Sequence, residues 1–271
     1  MVTTGANSGI GLATVIELAR RGFRSVGTVR SPAKAAAVAD AAAAAGVEVE
    51  TALLDVTDAE AGAAMIDRLR PWGLVNNAGY GSTGAVEDVD DEEARRHFET
   101  MVVAPIRLSR LALPHMRASG GGRIVNISSI MGRTTTPLTG WYQASKHALE
   151  AVSDALRMEV ASAEVVVILV EPGGFRTGIW EDAERDVERR SDSRYAPGYR
   201  RVLGLTRLSQ PLMGQPSQCA DVIARALTTR VPRARYLVGY DAYLAAAMAS
   251  AAPTLVKDCV SRLILGLGPA P

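Results

Sequence analysis

The sequence predicts an α/β fold, a doubly wound parallel sheet of seven strands with helices on both faces. Short β-branched runs alternate with alanine-rich amphipathic stretches along the chain, the pattern of parallel strands joined by crossover helices. A glycine loop from Thr4 to Gly11 stands between the first such run and the first such stretch. A length of 271 residues fits one large domain that buries its core without disulfide staples, so we expect a single domain over 1–271.

Strands are expected near 1–3, 25–29, 47–53, 74–76, 123–128, 165–170 and 235–238, with helices between them. In the first helix Leu12, Val15, Ile16 and Ala19 recur at i, i+3, i+4 and i+7, the stripe of a helix lying on a sheet. A later helix carries Phe98, Met101, Val102 and Ile106 on one side and meets Pro105 and Pro114, which should bend or end it. From Gly178 to Arg207 the chain turns strongly charged and its apolar spacing is poor. Two readings stand for that segment, a substrate-side lid over about 178–214 or a solvated surface insert. A helical tail is expected over about 241–271. Only Met1 to Thr3 precede the glycine loop, so the first strand is unusually short or the true start lies upstream.

Composition excludes several function classes. With 30 basic against 29 acidic residues the net charge is +1, which gives no field to gather nucleic acid or an anionic membrane. A small-molecule substrate is the expected partner. Cys219 and Cys259 form no CxxC pair, and His97, His115 and His147 lack metal-ligand spacing, so no metal is expected. The longest apolar stretch, from Ala242 to Val256, is broken by Pro253 and falls short of the roughly 20 residues of a membrane span. With no signal peptide before the glycine loop, the chain reads as cytoplasmic.

Thr4-Gly5-Ala6-Asn7-Ser8-Gly9-Ile10-Gly11 follows a strand and opens a helix. Glycines there let the backbone approach a pyrophosphate, whose charge sits on the helix N-terminus. The spacing is GxxxGxG and differs from the GxGxxG dinucleotide fingerprint. Farther on, Tyr142-Gln143-Ala144-Ser145-Lys146 sets a phenol and an ammonium one helical turn apart, with Ser129 thirteen residues upstream. A free phenol titrates near 10 and a nearby cation favours the phenolate. Reaching about 7 takes roughly 4 kcal/mol, which Lys146 and the positive ring of an oxidised nicotinamide would supply together.

Other pieces stand in order around these. Asp55-Val56 is placed at the end of the third strand, Asn76-Asn77-Ala78-Gly79 at the end of the fourth, and Pro172-Gly173-Gly174-Phe175-Arg176-Thr177 after the sixth. The ordered set resembles the short-chain dehydrogenase/reductase family in its single-domain branch, over nearly the whole chain, with a softer likeness to its hydroxysteroid and retinol dehydrogenase side. The resemblance implies a Rossmann-type sheet and an oxidoreductase. It implies that Gly5, Asn7, Ser8, Gly9, Ile10 and Gly11 hold the cofactor phosphates, Asp55 and Val56 the adenine, and Asn77, Ala78 and Gly79 the adenosine ribose region. Pro172, Gly173, Phe175 and Thr177 would hold the nicotinamide end, with Tyr142 and Lys146 also touching the cofactor. In the implied chemistry Tyr142 is general acid and base, Ser129 holds the substrate oxygen, and Lys146 lowers the Tyr142 pKa and binds ribose. Ser129 is chosen over Ser128 because Gly132 follows three residues later, as in the family pattern, and because neighbouring residues of an extended segment point to opposite sides. A homodimer or homotetramer is the family expectation.

The end of the second strand reads Gly27-Thr28-Val29-Arg30-Ser31. No carboxylate is present to bind a ribose 2′-hydroxyl, whereas Arg30, assisted by Ser31, suits a 2′-phosphate. NADP(H) is therefore favoured over NAD(H), against the reading of Arg30 as a solvated strand end. One family residue is missing: Met101 stands where the family carries an asparagine that helps a water link the lysine to solvent, and a thioether lacks the amide's donors and acceptors. The leading functional reading is an NADP(H)-dependent enzyme of a lipophilic ketone or secondary alcohol. The alternative is a cofactor-binding regulator or scaffold with weak or no turnover.

Overall fold

Strands that carry helices on both faces must bury both sets of side chains, and the valine-rich runs of this chain do so. A computed structural model describes residues 1–268. Its strands are β1 (Val2–Thr3), β2 (Val26–Val29), β3 (Glu50–Leu53), β4 (Gly73–Asn76), β5 (Gly122–Ile127), β6 (Val165–Pro172) and β7 (Arg235–Val238). They form one sheet in the order β3-β2-β1-β4-β5-β6-β7, and every pairing is parallel. Every residue of β1, β2 and β4 is buried. β1 has two residues, with Val2 in register with Val26 on one side and Leu74 on the other. The chain therefore winds outward in both directions from β1 and β4, and the loops beyond these two strands part to leave a crevice.

The helices are α1 (Gly9–Arg20), α2 (Pro32–Ala44), α3 (Ala59–Leu69), α4 (Asp91–Phe98), α5 (Ala104–Ala118), α6 (Gly140–Glu159), α7 (Ile179–Arg189), α8 (Ala196–Ser209), α9 (Pro216–Thr228), α10 (Tyr240–Ala251) and α11 (Thr254–Leu265). Successive strand residues serve opposite faces. Leu74 and Ile124 join Met65 and Ile66 of α3 and Leu108 and Met116 of α5, whereas Val75 and Val125 join Leu18 of α1 and Ile223 and Leu227 of α9. Among the described residues no helix is long and apolar enough to cross a membrane. Residues 241–268 of the expected tail carry α10 and α11, and 269–271 lie outside the described residues.

Two expectations need correction. The buried stripe of α1 is Gly11, Thr14, Val15 and Leu18, rotated one residue from the predicted set. The helix packs on the sheet beside α9, so Ile16 lines the groove against Ala220 of α9. Thr14 tolerates burial because its hydroxyl donates to the Ile10 carbonyl at 2.7 Å. Nor do the prolines stop the helix after Phe98. Residues Glu99–Val103 form a π-helical turn in which the Ala104 amide donates to the Glu99 carbonyl, i to i−5, and Pro105 then falls in the first turn of α5, where its missing N–H is tolerated. Pro114 sits inside α5, which continues to Ala118.

The segment 178–214 is largely helical, α7 and α8 followed by a 3₁₀ turn at Gln210–Leu212. Its charges bind it to the body. Arg190 pairs with Glu93 of α4 at 2.6 Å, and Asp186 accepts the Thr83 amide at 3.0 Å. Tyr199, fully buried, accepts the Ala85 amide at 2.7 Å and donates to Asp88. Tyr199→Phe strands the buried Ala85 amide, whereas Asp88 keeps the Ser193 hydroxyl, and a buried unsatisfied group costs about 1–3 kcal/mol. A lower urea midpoint with an unchanged slope is the expected result; an unmoved midpoint means that the hydroxyl does not anchor the segment.

Candidate active site

The loop after β1 is shaped by what it cannot accommodate. Gly5 has φ +66°, and a Cβ there would meet the Ala78 Cα at 2.9 Å. Gly9, φ +54°, would meet the Thr177 Cγ2 at 3.0 Å, and a side chain on Gly11 would overlap the Gly5 carbonyl oxygen. Thr4 ties this loop to the one after β4: its hydroxyl accepts the amides of Asn77 and Ala78, both at 3.0 Å. Asn77 completes the brace by donating to the Thr4 and Gly5 carbonyls at 2.9 and 3.1 Å. The Asn77 amide thus holds the loop itself, a task its assignment to the ribose region did not include.

At the start of α1, Ser8 has extended backbone, its side chain makes no cap bond among the described residues, and the first turn carries no acidic residue. The Asn7 side chain lies against the Ser8 hydroxyl at 3.4 Å, and Ile10 packs on the α9 side of the core. Uncapped amides at a helix N-terminus, with no carboxylate to compete, fit a diphosphate, and the glycines leave space for one. At the far end of the crevice Arg30 is exposed just after β2, while Ser31 caps α2 by accepting the Lys34 amide at 3.4 Å. β3 stops at Leu53, so Asp55 lies in the loop beyond it; the pairing of β3 with β2 reaches only as far as the Leu54 amide on Val29. Asp55 accepts the Thr57 amide and hydroxyl at 3.0 and 2.7 Å, and these bonds, with a smaller contribution from the Arg30 charge, hold its carboxyl below the usual range. Val56 is buried in the core beside it.

β5 delivers the serines and α6 the tyrosine and lysine. Ser129, not Ser128, meets Tyr142: its hydroxyl bonds the phenol and also accepts the Met131 amide at 3.1 Å. The Ser128 hydroxyl is turned the other way, buried near Gly132 without a partner among the described residues. Lys146 donates to the Ile127 carbonyl at 2.9 Å, and its Nζ lies 5.8 Å from the centre of the Tyr142 ring. The expected direction of the phenol shift is reversed. Burial pushes Tyr142 up to about 12, opposed only by the Ser129 bond, and pulls Lys146 down to about 8, opposed by Glu150. A buried ammonium tied to a neutral carbonyl and standing beyond hydrogen-bonding reach of the phenol gives it little stabilisation.

The remaining wall is the 172–177 loop. The Gly174 amide donates to Asp241 of α10 at 2.5 Å, and a side chain on Gly173 would overlap that carboxylate. Phe175 is buried, its carbonyl accepts the Trp180 indole N–H at 2.7 Å, and Thr177 is carried against Gly9. Pro172 closes β6, its carbonyl 3.5 Å from the Ser129 hydroxyl. Met101, 1 % exposed in the π turn, lies beside Gly79 with its Sδ 3.9 Å from the Ser145 hydroxyl.

Comparison with known proteins agrees with this geometry. Residues 1–188 match the short chain dehydrogenase family. The uncharacterized oxidoreductase YusZ of Bacillus subtilis is 35% identical over 247 residues, 88% of each chain. The chain belongs to the short-chain dehydrogenase family. Mouse retinol dehydrogenase 7 is 31% identical over 95% of this chain and 85% of its own. A short-chain dehydrogenase from Burkholderia cenocepacia, solved in complex with NADP, is 25% identical with a TM-score of 0.72, covering 93% of this chain and 92% of that one. Within this short-chain dehydrogenase the sequence reading missed Thr4 and Asp241. A hydroxyl closing a strand before a glycine loop was a signal for the first; nothing local marked Asp241, which arrives from α10, 67 residues after Gly174.

Gly11→Ala forces a methyl into the Gly5 carbonyl, and overpacking costs about 1–3 kcal/mol. Gly204→Ala, inside α8 with open space around it, gains about 0.5–1 kcal/mol. Thermal midpoints that move in opposite directions are expected; an unshifted Gly11→Ala would mean that the loop is looser than described.

Proposed function

We propose that this chain is a single NADP(H)-dependent domain that moves a hydride between the cofactor and a lipophilic ketone or secondary alcohol. The observation that carries the reading is the bond between Ser129 and the Tyr142 phenol, with Lys146 one turn along α6. When bound, NADP(H) supplies or takes the hydride. Tyr142 gives its proton to the carbonyl oxygen in reduction, and Ser129, which already accepts the Met131 amide, turns its own hydrogen to that oxygen. A phenol held near 12 is fully protonated at neutral pH, as a proton donor should be. Oxidation needs the phenolate, and forming it at pH 7 from about 12 takes roughly 7 kcal/mol.

Arg30, exposed at the end of β2 without a competing carboxylate, supports a 2′-phosphate, as does the NADP complex of the Burkholderia relative. The similarity to mouse retinol dehydrogenase 7 supports a lipophilic substrate. A homodimer or homotetramer belongs to the same reading, supported by the exposed Val152 and Met158 on the helix that bears Tyr142. So does a cytoplasmic location, supported by the free thiols of Cys219 and Cys259. Buried Met101, which offers a sulfur where a relay needs an amide, favours a second reading, a cofactor-binding regulator of little turnover.

NADPH consumption with a panel of hydrophobic ketones, lost in Tyr142→Phe, is the expected result. Cofactor binding without turnover across the panel gives the second reading instead. Arg30→Asp should weaken NADPH by at least tenfold and leave NADH nearly unchanged; equal losses reject the 2′-phosphate assignment. The pH profile separates the two buried groups. Lys146 is depressed, so its ammonium is complete below about 8 and lost as pH rises through that value, while Tyr142 stays protonated to about 12. Reduction should decline with a midpoint near pH 8, and a decline that begins only above 10 would assign it to the phenol.

A further inference from the structure

Tyr142, Lys146 and Glu150 follow at i, i+4 and i+8 along one face of α6. Lys146 and Glu150 are both buried, and among the described residues the single hydrogen bond of the ammonium goes to the neutral Ile127 carbonyl. The groups that face Glu150 come from several elements. Arg235 of β7 binds one carboxylate oxygen at 3.1 Å, and the other oxygen is buried with no hydrogen-bond partner among the described residues. That arginine is shared: it also bonds Asp154 at 2.5 Å and lies 3.2 Å from Glu171 of β6, which is itself paired with Arg133 at 2.8 Å. Three arginines thus face three carboxylates, since Arg157 also bonds Asp154 at 3.1 Å, yet none of them binds the second oxygen of Glu150. His147 and Arg133 complete the rim of a cleft of about 470 Å³ that Glu150 and Arg235 line together.

We propose that Glu150 is a positioning residue whose carboxylate keeps Lys146 in its ammonium form beneath Tyr142. The inference rests on the reading of Tyr142 and Lys146 as the working pair. Burial alone discharges the lysine, and Glu150 is the opposing charge. Losing a single nearby opposite charge moves a titration by about 1–3 pH units.

The chain has three lysines, Lys34, Lys146 and Lys257, so the ¹⁵Nζ signal of Lys146 is readily assigned and its titration followed by NMR without any turnover. In Glu150→Gln the titration, and with it the high-pH decline of ketone reduction, should move at least one pH unit lower. Asp154→Asn, which removes a different partner of Arg235, should move neither, and this separates the charge effect from loss of the ion-pair network. Glu150→Asp, which retains the carboxylate one methylene farther away, should fall between the two, and it carries the test should Glu150→Gln not fold. A Lys146 titration unmoved in Glu150→Gln, or in Glu150→Asp where only that variant folds, overturns the proposal even if Tyr142→Phe abolishes activity. A shifted titration in a protein that reduces no ketone supports this inference while the proposed function fails.

Discussion

The loops after β1 and β4 can meet only because Gly5 carries no side chain where they touch. Gly5 lies within van der Waals reach of Ala78, and Gly11 packs on the carbonyl of Gly5. Thr4 and Asn77 then fasten the two loops with four hydrogen bonds. That closure sets the start of α1 at the switch point of the sheet, where uncapped amides and the crevice coincide. Thr177 reaches the same place from β6, so three strand ends are gathered around one short loop.

A second constraint is the charge placed beneath the crevice. Buried charges need partners or they discharge. Lys146 answers with a carbonyl and a carboxylate one turn away, and its pKa still falls to about 8. Glu171 answers with two arginines and nevertheless has its carboxyl pushed above the usual range, first by burial and then by Glu150. These groups share one network across β6, β7 and α6, so the electrostatics of the tyrosine's neighbour depend on residues outside the crevice.

Seven strands were legible because a parallel sheet covered on both faces leaves continuous β-branched runs. Val165 to Val170 can hardly be read otherwise. The site was legible where chemistry and local spacing coincide, as in the glycine loop and the Tyr142 to Lys146 step. What failed depended on neighbours remote in sequence. The stripe of α1 was misplaced by one residue because α9, some 200 positions away, covers Ile16 and Ala13. Segment 178–214 left a lid and a solvated insert equally open because its arginines and acids carry no period, and Arg190 and Asp186 find their partners at Glu93 and Thr83. The upward shift of Tyr142 followed the same logic, since spacing reports that a lysine is near but not where its Nζ points.

The π turn at Glu99–Val103 bears most directly on Met101. A proline breaks a helix by withholding the amide owed to the carbonyl four residues back. Widening one turn shifts the register, so that the chain absorbs Pro105 and continues without a break. The same widening presses residue 101 inward, between Gly79 and Ser145. π turns gather at functional positions, and this one retains its geometry although the side chain it delivers is apolar. Methionine fills the space between Gly79 and Ser145 with an apolar, buried side chain. On the proposal above, the lysine's charge depends on Glu150, one turn farther along α6.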